Sequence, residues 1–421
     1  MDKSAQLYSR SKEVTPGGVS SPVRAFKPNP LFISKGKGSK VYDADGKGYI
    51  DLCMAYGPLI TGHACPKVMD AAKEQIALGT VYGAPSEVEL NLIERITKEV
   101  PSAEMVRLGC SGTEATMHAI RVARGVTGRD DIVKINGGFH GAHDAALVAA
   151  GSGSAGGVPS FKGVLSDVAK HTFTAEYNSV ESMNDILDKK EIACVIMEPI
   201  MGNVGVVPPK KGYLEEVRKI TKEHDTILIF DEVITGFRAS SGGVQKRFGV
   251  TPDMTTMGKI IGGGFPAGAF MGKRSIMENV APQGGIYVAG TFAGNPVSAA
   301  AGYAAIDLMC SNDNYSKLEK RTDSLVATIR DSMADNKVKG CVNSVASMFS
   351  VFFGIDQATN GSEAMGADRV MFDRMFRYML ENGVYLPPSA LEVDFMSLAH
   401  SAEDVNVLED KFKGFFESVK A

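Results

Sequence analysis

Between about residues 80 and 300 the chain alternates short apolar, β-prone runs with longer stretches of helical periodicity. The runs DIVKI (131–135), ACVIMEP (193–199), TILIFDEV (226–233) and AGAFMG (267–272) are nearly unbroken in apolar residues. A strand with one wet face alternates polar and apolar positions, so a continuous apolar strand is one buried on both faces. Such strands separated by helical patterns predict an α/β fold with a mainly parallel central sheet wrapped by helices.

The two ends of the chain read differently. GKGSKVYDADGKGYIDL (36–52) sets the turn signal D-A-D-G-K-G between two β-prone runs, which predicts an antiparallel hairpin. Beyond about residue 305 helical periodicity returns, followed by NSVASMFSVFF (343–353) and a last helix. The expected organisation is an N-terminal segment (1–60), a large domain (61–305) and a C-terminal segment (306–421). The two end segments are expected to pack together as a small α+β lobe. GSGSAGGVPSFKG (151–163) breaks the pattern, being rich in Gly and Ser with few anchoring apolar residues. A long unpatterned stretch inside a compact domain reads either as a functional lid or as a plain surface loop.

A chain of 421 residues exceeds what one small core supports, hence the expectation of more than one lobe. Its formal charge of -4 gives no basic field to draw a polyanion, so nucleic acid is not an expected partner. The N-terminal stretch mixes acids and bases, and no apolar run reaches bilayer length, which predicts a cytoplasmic protein without membrane attachment. Cys53, Cys65, Cys110, Cys194, Cys310 and Cys341 show neither C-x-x-C pairing nor metal spacing. They read as reduced core thiols, and no metal site is expected.

Three patterns could carry chemistry. In CSGTEATMHAIRVAR (110–124), Ser111, Gly112 and Thr113 directly precede a helical run. Free amides and the positive end of the helix dipole make such a start an anion site, although an ordinary N-cap has the same appearance. Asp231 ends a buried strand at the rim where α/β sheets bind ligands, and there it could hold a protonated ring nitrogen; a helix cap or a metal ligand is the alternative. Lys259 in TTMGKIIGGGFPAG has glycines on both sides and no acidic neighbour in sequence. Burial lowers a lysine pKa, and Schiff-base chemistry needs a neutral amine; a solvated surface charge is the common alternative.

In order, S-G-T at a helix start, F-H-G (139–141), E-P (198–199), D-E-V (231–233) and G-K (258–259) before a glycine run make a combination that resembles the class III aminotransferases of fold type I. The likeness covers almost the whole chain and implies pyridoxal 5'-phosphate as cofactor, with its pyridoxamine form in the cycle. It implies that Lys259 is the Schiff-base lysine and proton shuttle, and that Asp231 pairs with the pyridine nitrogen. Ser111, Gly112 and Thr113 would bind the phosphate, and Phe139 would stack on the ring. His140, Glu198, Asn203 and Val233 would complete the cofactor site. Thr291 in AGTFAGNP would reach the phosphate in a neighbouring subunit, which implies a homodimer with active sites at the interface.

Three further segments are similar to the glutamate-1-semialdehyde aminomutase family: TPGGVSSPVRAFKPNP (15–30), YGAPSEVEL (82–90) and LPPSALEVDFMSLAHSAEDV (386–405). That likeness implies intramolecular amino transfer giving 5-aminolevulinate through a diamine, in tetrapyrrole synthesis, with 151–163 as a gating loop. It assigns Arg24, helped by Ser21, to the substrate's distal carboxylate; an isolated arginine near an N-terminus would otherwise read as surface charge. Glu392 stands where aminotransferases that use 2-oxoglutarate commonly present an arginine, and a carboxylate there would repel that partner. Cys110, Phe139 and T-F-A-G-N-P depart from the commonest pattern, where Asn, Tyr and T-L-S-G-N-P are frequent. The alternative reading is a class III transaminase for another amino acid or amine with a separate keto acid. A non-catalytic descendant is disfavoured, because lysine, aspartate and S-G-T are all present.

Overall fold

A computed structural model describes residues 3–148, 150 and 161–420. Three strands near the N-terminus, β1 (Ile33–Lys37), β2 (Lys40–Asp43) and β3 (Gly48–Asp51), form the predicted antiparallel hairpin and one strand more. Its turn is held by Asp43, whose Oδ1 accepts from the amides of Asp45 and Lys47 at 3.0 and 2.9 Å, and by Gly46 at φ 88°. An aspartate that bonds the backbone two residues ahead is the reason D-A-D-G turns the chain.

The central sheet contains β4 (Met105–Gly109), β5 (Asp131–Ile135), β6 (Thr172–Ala175), β7 (Ile192–Met197), β8 (Ile227–Asp231), β9 (Met254–Gly258) and β10 (Gly268–Gly272). Their spatial order is β4-β10-β9-β8-β7-β5-β6. Every residue of β7, β8, β9 and β10 is buried, as expected for strands covered on both faces. The run β9-β8-β7-β5-β6 is parallel. β10 departs from it and runs antiparallel to both β9 and β4. The connection 259–267 is shorter than the dozen or so residues that a parallel crossover requires, so the chain turns back beside the strand it has just left.

The last strands are β11 (Gly340–Val345), β12 (Met348–Phe353), β13 (Val384–Tyr385) and β14 (Asp394–Phe395). The run 343–353 is a hairpin rather than a single strand: Val345 pairs with Met348 across a turn in which Ala346 has φ 52°. β14 adds to β12, whereas β13 lies parallel to β3 and joins the N-terminal sheet. Chain ends more than 300 residues apart thus share one sheet, a pairing with no local sequence signature. The final helix, Ala402–Ser418, opens with a capping box between Ser401 and Asp404.

All six cysteines are free; Cys53 and Cys194 are buried, while Cys65, Cys110, Cys310 and Cys341 are only partly so and are less core-like than expected. Among the described residues no helix is long and apolar enough to cross a membrane. Residues 151–160 of the glycine-rich stretch lie outside the described residues.

Candidate active site

The carboxyl ends of the central strands converge on one cavity of about 510 Å³. It is lined by Ser21, Tyr56, Ser111, Gly112, Thr113, Phe139, His140, Glu198, Asn203, Asp231, Val233, Lys259 and Glu392, among others. Asp231 ends β8, Glu198 follows β7 directly, and Lys259 follows β9 directly. The rim of an α/β sheet is where backbone groups and side chains from several strands can meet around a ligand.

Lys259 adopts φ 50°, a left-handed conformation unusual for a side-chain-bearing residue. Such backbone persists where the surroundings over-determine it, often at functional sites. The amine's pKa is lowered, first by burial and then by Arg238, against the opposing pull of Glu392, Glu198 and Asp231. Burial therefore moves this lysine towards the neutral form that nucleophilic and proton-transfer chemistry requires.

Asp231 is buried and bonded on three sides. His140 Nδ1 donates to Oδ2 at 2.7 Å, while Thr256 Oγ1 and the Val233 amide donate to Oδ1 at 3.1 Å each. His140 is in turn held by its own carbonyl, which accepts from Thr116 Oγ1 at 2.5 Å. Its Nε2 is buried without a partner among the described residues. Glu198 Oε1 accepts from the Phe139 amide at 3.1 Å and Oε2 from the Gly202 amide at 2.7 Å. Burial raises the Glu198 pKa, with Asp231 adding to that effect and His140, the Gly202 amide and Asn203 opposing it.

The helix Gly112–Thr127 points its N-terminus into the cavity. Ser111 is its N-cap, accepting from the Glu114 amide at 3.1 Å, and Glu114 returns a bond to the Cys110 amide at 2.7 Å. The hydroxyl is thus engaged as a cap, worth about 1 kcal/mol. The amides of Gly112 and Thr113 belong to the first turn, where no intrahelical acceptor exists. Gly112 is needed for closeness: a Cβ there would lie 2.8 Å from Val233 Cγ1. Gly141, at φ 93°, brings the loop after Phe139 and His140 against Thr113 in the same manner, since a Cβ would meet Thr113 Cα at 2.7 Å.

Two expected residues lie elsewhere. Arg24 lines an adjoining cavity of about 430 Å³ with Asp51, Cys53, His63 and Tyr385, and among the described residues only Tyr56 faces both spaces. Tyr56 Oη donates to the Val23 carbonyl at 2.7 Å, tying the partition to the segment that carries Arg24. Thr291 is exposed, in a third cavity of about 910 Å³ with Tyr82, Leu90 and Asn295.

Sequence reasoning did not single out Tyr56, Thr116, Lys134 or Arg238. Lys134 is fully buried on β5 and donates to the Gly138 and Val148 carbonyls at 2.8 and 2.5 Å, so it holds the loop bearing Phe139 and His140. A lysine within an apolar strand was the one available signal.

A lysine, a buried carboxylate, an aromatic ring and a helix N-terminus around one cavity define a site suited to a phosphorylated aldehyde cofactor with a basic ring nitrogen. Residues 23–404 match Aminotransferase class-III, and the chain belongs to that family, whose enzymes use pyridoxal phosphate. Within it, the chain is 52% identical to the glutamate-1-semialdehyde 2,1-aminomutase of Archaeoglobus fulgidus, over 96% of this chain and 97% of that one. Among solved structures, an omega-transaminase from Sphaerobacter thermophilus superposes with a TM-score of 0.93 at 31% identity, covering 100% of this chain and 98% of the other. A glutamate-1-semialdehyde-aminomutase variant from Pseudomonas aeruginosa PAO1 in complex with PMP gives a TM-score of 0.89 at 26% identity, covering 98% and 94%. The shared architecture is the α/β fold type I.

Proposed function

We propose that this chain converts glutamate 1-semialdehyde to 5-aminolevulinate by moving an amino group between neighbouring carbons of one substrate. The bound cofactor supplies a carbonyl or amine centre and, through a protonated ring nitrogen, an electron sink. Lys259 provides the amine that attaches the cofactor and afterwards holds and moves the substrate proton, a role supported by its lowered pKa. Asp231, oriented by His140, Thr256 and the Val233 amide, keeps the ring nitrogen protonated. The free amides of Gly112 and Thr113, with Ser111 and Thr113 hydroxyls beside them, receive the phosphate. Phe139 would stack on the ring, its amide held by Glu198, which Asn203 bonds in turn.

The observation that carries the choice of reaction is Glu392 in the Lys259 cavity, with no arginine among its described lining residues. A separate oxo-acid acceptor would bring a second carboxylate against Glu392 with no guanidinium to hold it. Arg24, across the Tyr56 partition, suits the single distal carboxylate of the semialdehyde, with Ser21 beside it. Tetrapyrrole synthesis in the cytoplasm is the corresponding biological setting.

The functional unit in this reading is a homodimer. Exposed Tyr82 and Leu90, which line the cavity with Thr291, and exposed Phe292 next to it in the chain support an interface there, with Thr291 serving the partner's cofactor. The N- and C-terminal segments, sharing a sheet through β3 and β13, act as one small lobe on the large domain. Phe161, at the described end of the stretch 151–163, lines the Lys259 cavity, which supports a gating role for that stretch.

The test supplies purified protein with glutamate 1-semialdehyde alone, then with 2-oxoglutarate added. Equal rates of 5-aminolevulinate formation support the aminomutase, whereas acceleration by the oxo acid assigns a transaminase.

A further inference from the structure

Arg238 is 1% exposed, yet among the described residues none of its hydrogen-bond partners is a carboxylate. A buried cation without a counter-ion is costly, and it persists where its hydrogen bonds hold something the fold or the reaction requires. Nη2 donates to the Gly57 carbonyl at 2.5 Å, and Nη1 donates to Ser347 Oγ at 2.8 Å and to the Met396 carbonyl at 3.3 Å. The guanidinium also lies 4.7 Å over the Phe395 ring. One side chain thus joins the segment after β8, a turn near the N-terminus, the start of β12 and the end of β14.

The turn it holds is strained. Met54, Ala55 and Tyr56 have φ of 43°, 55° and 64° in succession, and Gly57 follows at 118°. Three consecutive left-handed residues with side chains survive only when both ends are fixed. Asp51 Oδ1 fixes the first end, accepting from the Cys53 and Met54 amides at 2.8 and 3.0 Å. Arg238 fixes the second. Gly57 is thereby wedged beside the catalytic lysine, for a Cβ on it would lie 3.3 Å from Lys259 Cδ and 3.4 Å from Phe395 Cζ. The same turn presents Tyr56 as the partition between the Lys259 and Arg24 cavities.

We propose that Arg238 is a positioning residue for the amino-transfer reaction: it clamps the turn Met54–Gly57 against the methylene chain of Lys259, fixing the direction of the amine and the place of Tyr56. This rests on Lys259 being the residue that holds the cofactor. The guanidinium's charge acts in the same direction as burial, against Glu392, Glu198 and Asp231, in disfavouring an ammonium at Lys259.

The experiment compares holoenzyme of the wild type, Arg238→Lys and Arg238→Met. It measures kcat and KM for glutamate 1-semialdehyde, the visible circular dichroism of bound cofactor, and the melting temperature. Lysine keeps the charge but lacks the planar fork that reaches three acceptors. The expected result is a kcat for Arg238→Met lower by about 100-fold, as for a misplacement near 1 Å, with KM little changed. The visible dichroism should shrink, because the cofactor's asymmetric setting is lost, and Arg238→Lys should fall between. A folded Arg238→Met enzyme with wild-type kcat and dichroism, but a lower melting temperature, overturns the proposal and leaves a purely structural role. If the methionine variant fails to fold, the same comparison is decided on Arg238→Lys. A wild type loaded with pyridoxal 5'-phosphate that shows no visible aldimine band, or a Lys259→Ala variant so loaded that retains it, overturns the reading of Lys259 itself and this one with it.

Discussion

His140 Nδ1 and Asp231 Oδ2 lie 2.7 Å apart in a buried pair at the end of β8, and the imidazole reaches the carboxylate from a loop 91 residues earlier in the chain. The remaining bonds to Asp231, from Thr256 and the Val233 amide, leave the carboxylate a fixed plane. Asp231→Asn keeps the shape and removes the charge. The expected outcome is retention of cofactor with kcat lower by at least about 100-fold, the scale for deleting a preorganised electrostatic partner. Steady-state kinetics beside the absorption spectrum checks it; near-normal kcat would show that Asp231 does not pair with the ring nitrogen.

Arg24 is separated from Lys259 by Tyr56, so its contribution should appear in substrate recognition and not in cofactor retention. Arg24→Ala is expected to lower kcat/KM about 10- to 100-fold, the worth of a charge-assisted bond, with cofactor content unchanged. Equilibrium dialysis of the cofactor alongside the kinetics separates the two. Loss of bound cofactor would place Arg24 in a different role.

Lys134 offers a pH-dependent stability signature. Burial lowers its pKa from 10.5 to about 7, with Glu198 opposing. Between those values the unfolded chain binds a proton that the folded chain does not, so this group's contribution to stability rises with pH across the window and is flat below it. The slope is at most about 1.4 kcal/mol per pH unit. Urea unfolding from pH 7 to 9.5 should therefore show a steeper rise for the wild type than for Lys134→Met; parallel slopes would contradict the assignment.

Much of the fold is legible because apolar continuity is a local property: DIVKI coincides with β5, and the runs at β7, β8 and β10 are offset by a few residues at most. β9 carries no such mark. Its sequence MTTMG carries two polar residues in five, and its threonines are buried because other segments satisfy them, Thr255 with Ser102 and Gln245, Thr256 with Asp231. The reversal of β10 is hidden in a connection length and not in composition. The site divides likewise. Lys259, Asp231 and the S-G-T helix start announce themselves by residue type and by their place after a strand or before a helix. Tyr56 and Arg238 do not, since their carbonyl partners Val23 and Gly57 lie in segments remote in sequence, and Lys134 is marked only by standing in an apolar strand. Thr291 was legible as a motif, although it lies outside the Lys259 cavity within this chain.

The helix cap gives a stability test apart from chemistry. Ser111→Ala removes the acceptor for the Glu114 amide at the rim of the cofactor site. A loss of about 1 kcal/mol in chemical denaturation is expected for the apo protein, with a larger apparent loss in holoenzyme if phosphate binding is weakened as well. Equal losses in both forms would mean that Ser111 serves only as a cap.

The central claim is that one lysine in one cavity carries amino transfer within a single substrate. It is tested most directly by following 5-aminolevulinate from glutamate 1-semialdehyde, without any oxo acid, for the wild type and Lys259→Ala loaded with pyridoxamine 5'-phosphate. The account predicts sustained turnover by the wild type and a fall in kcat of at least about 100-fold for the variant. Turnover by the wild type only with added oxo acid, or undiminished turnover by Lys259→Ala, would contradict it.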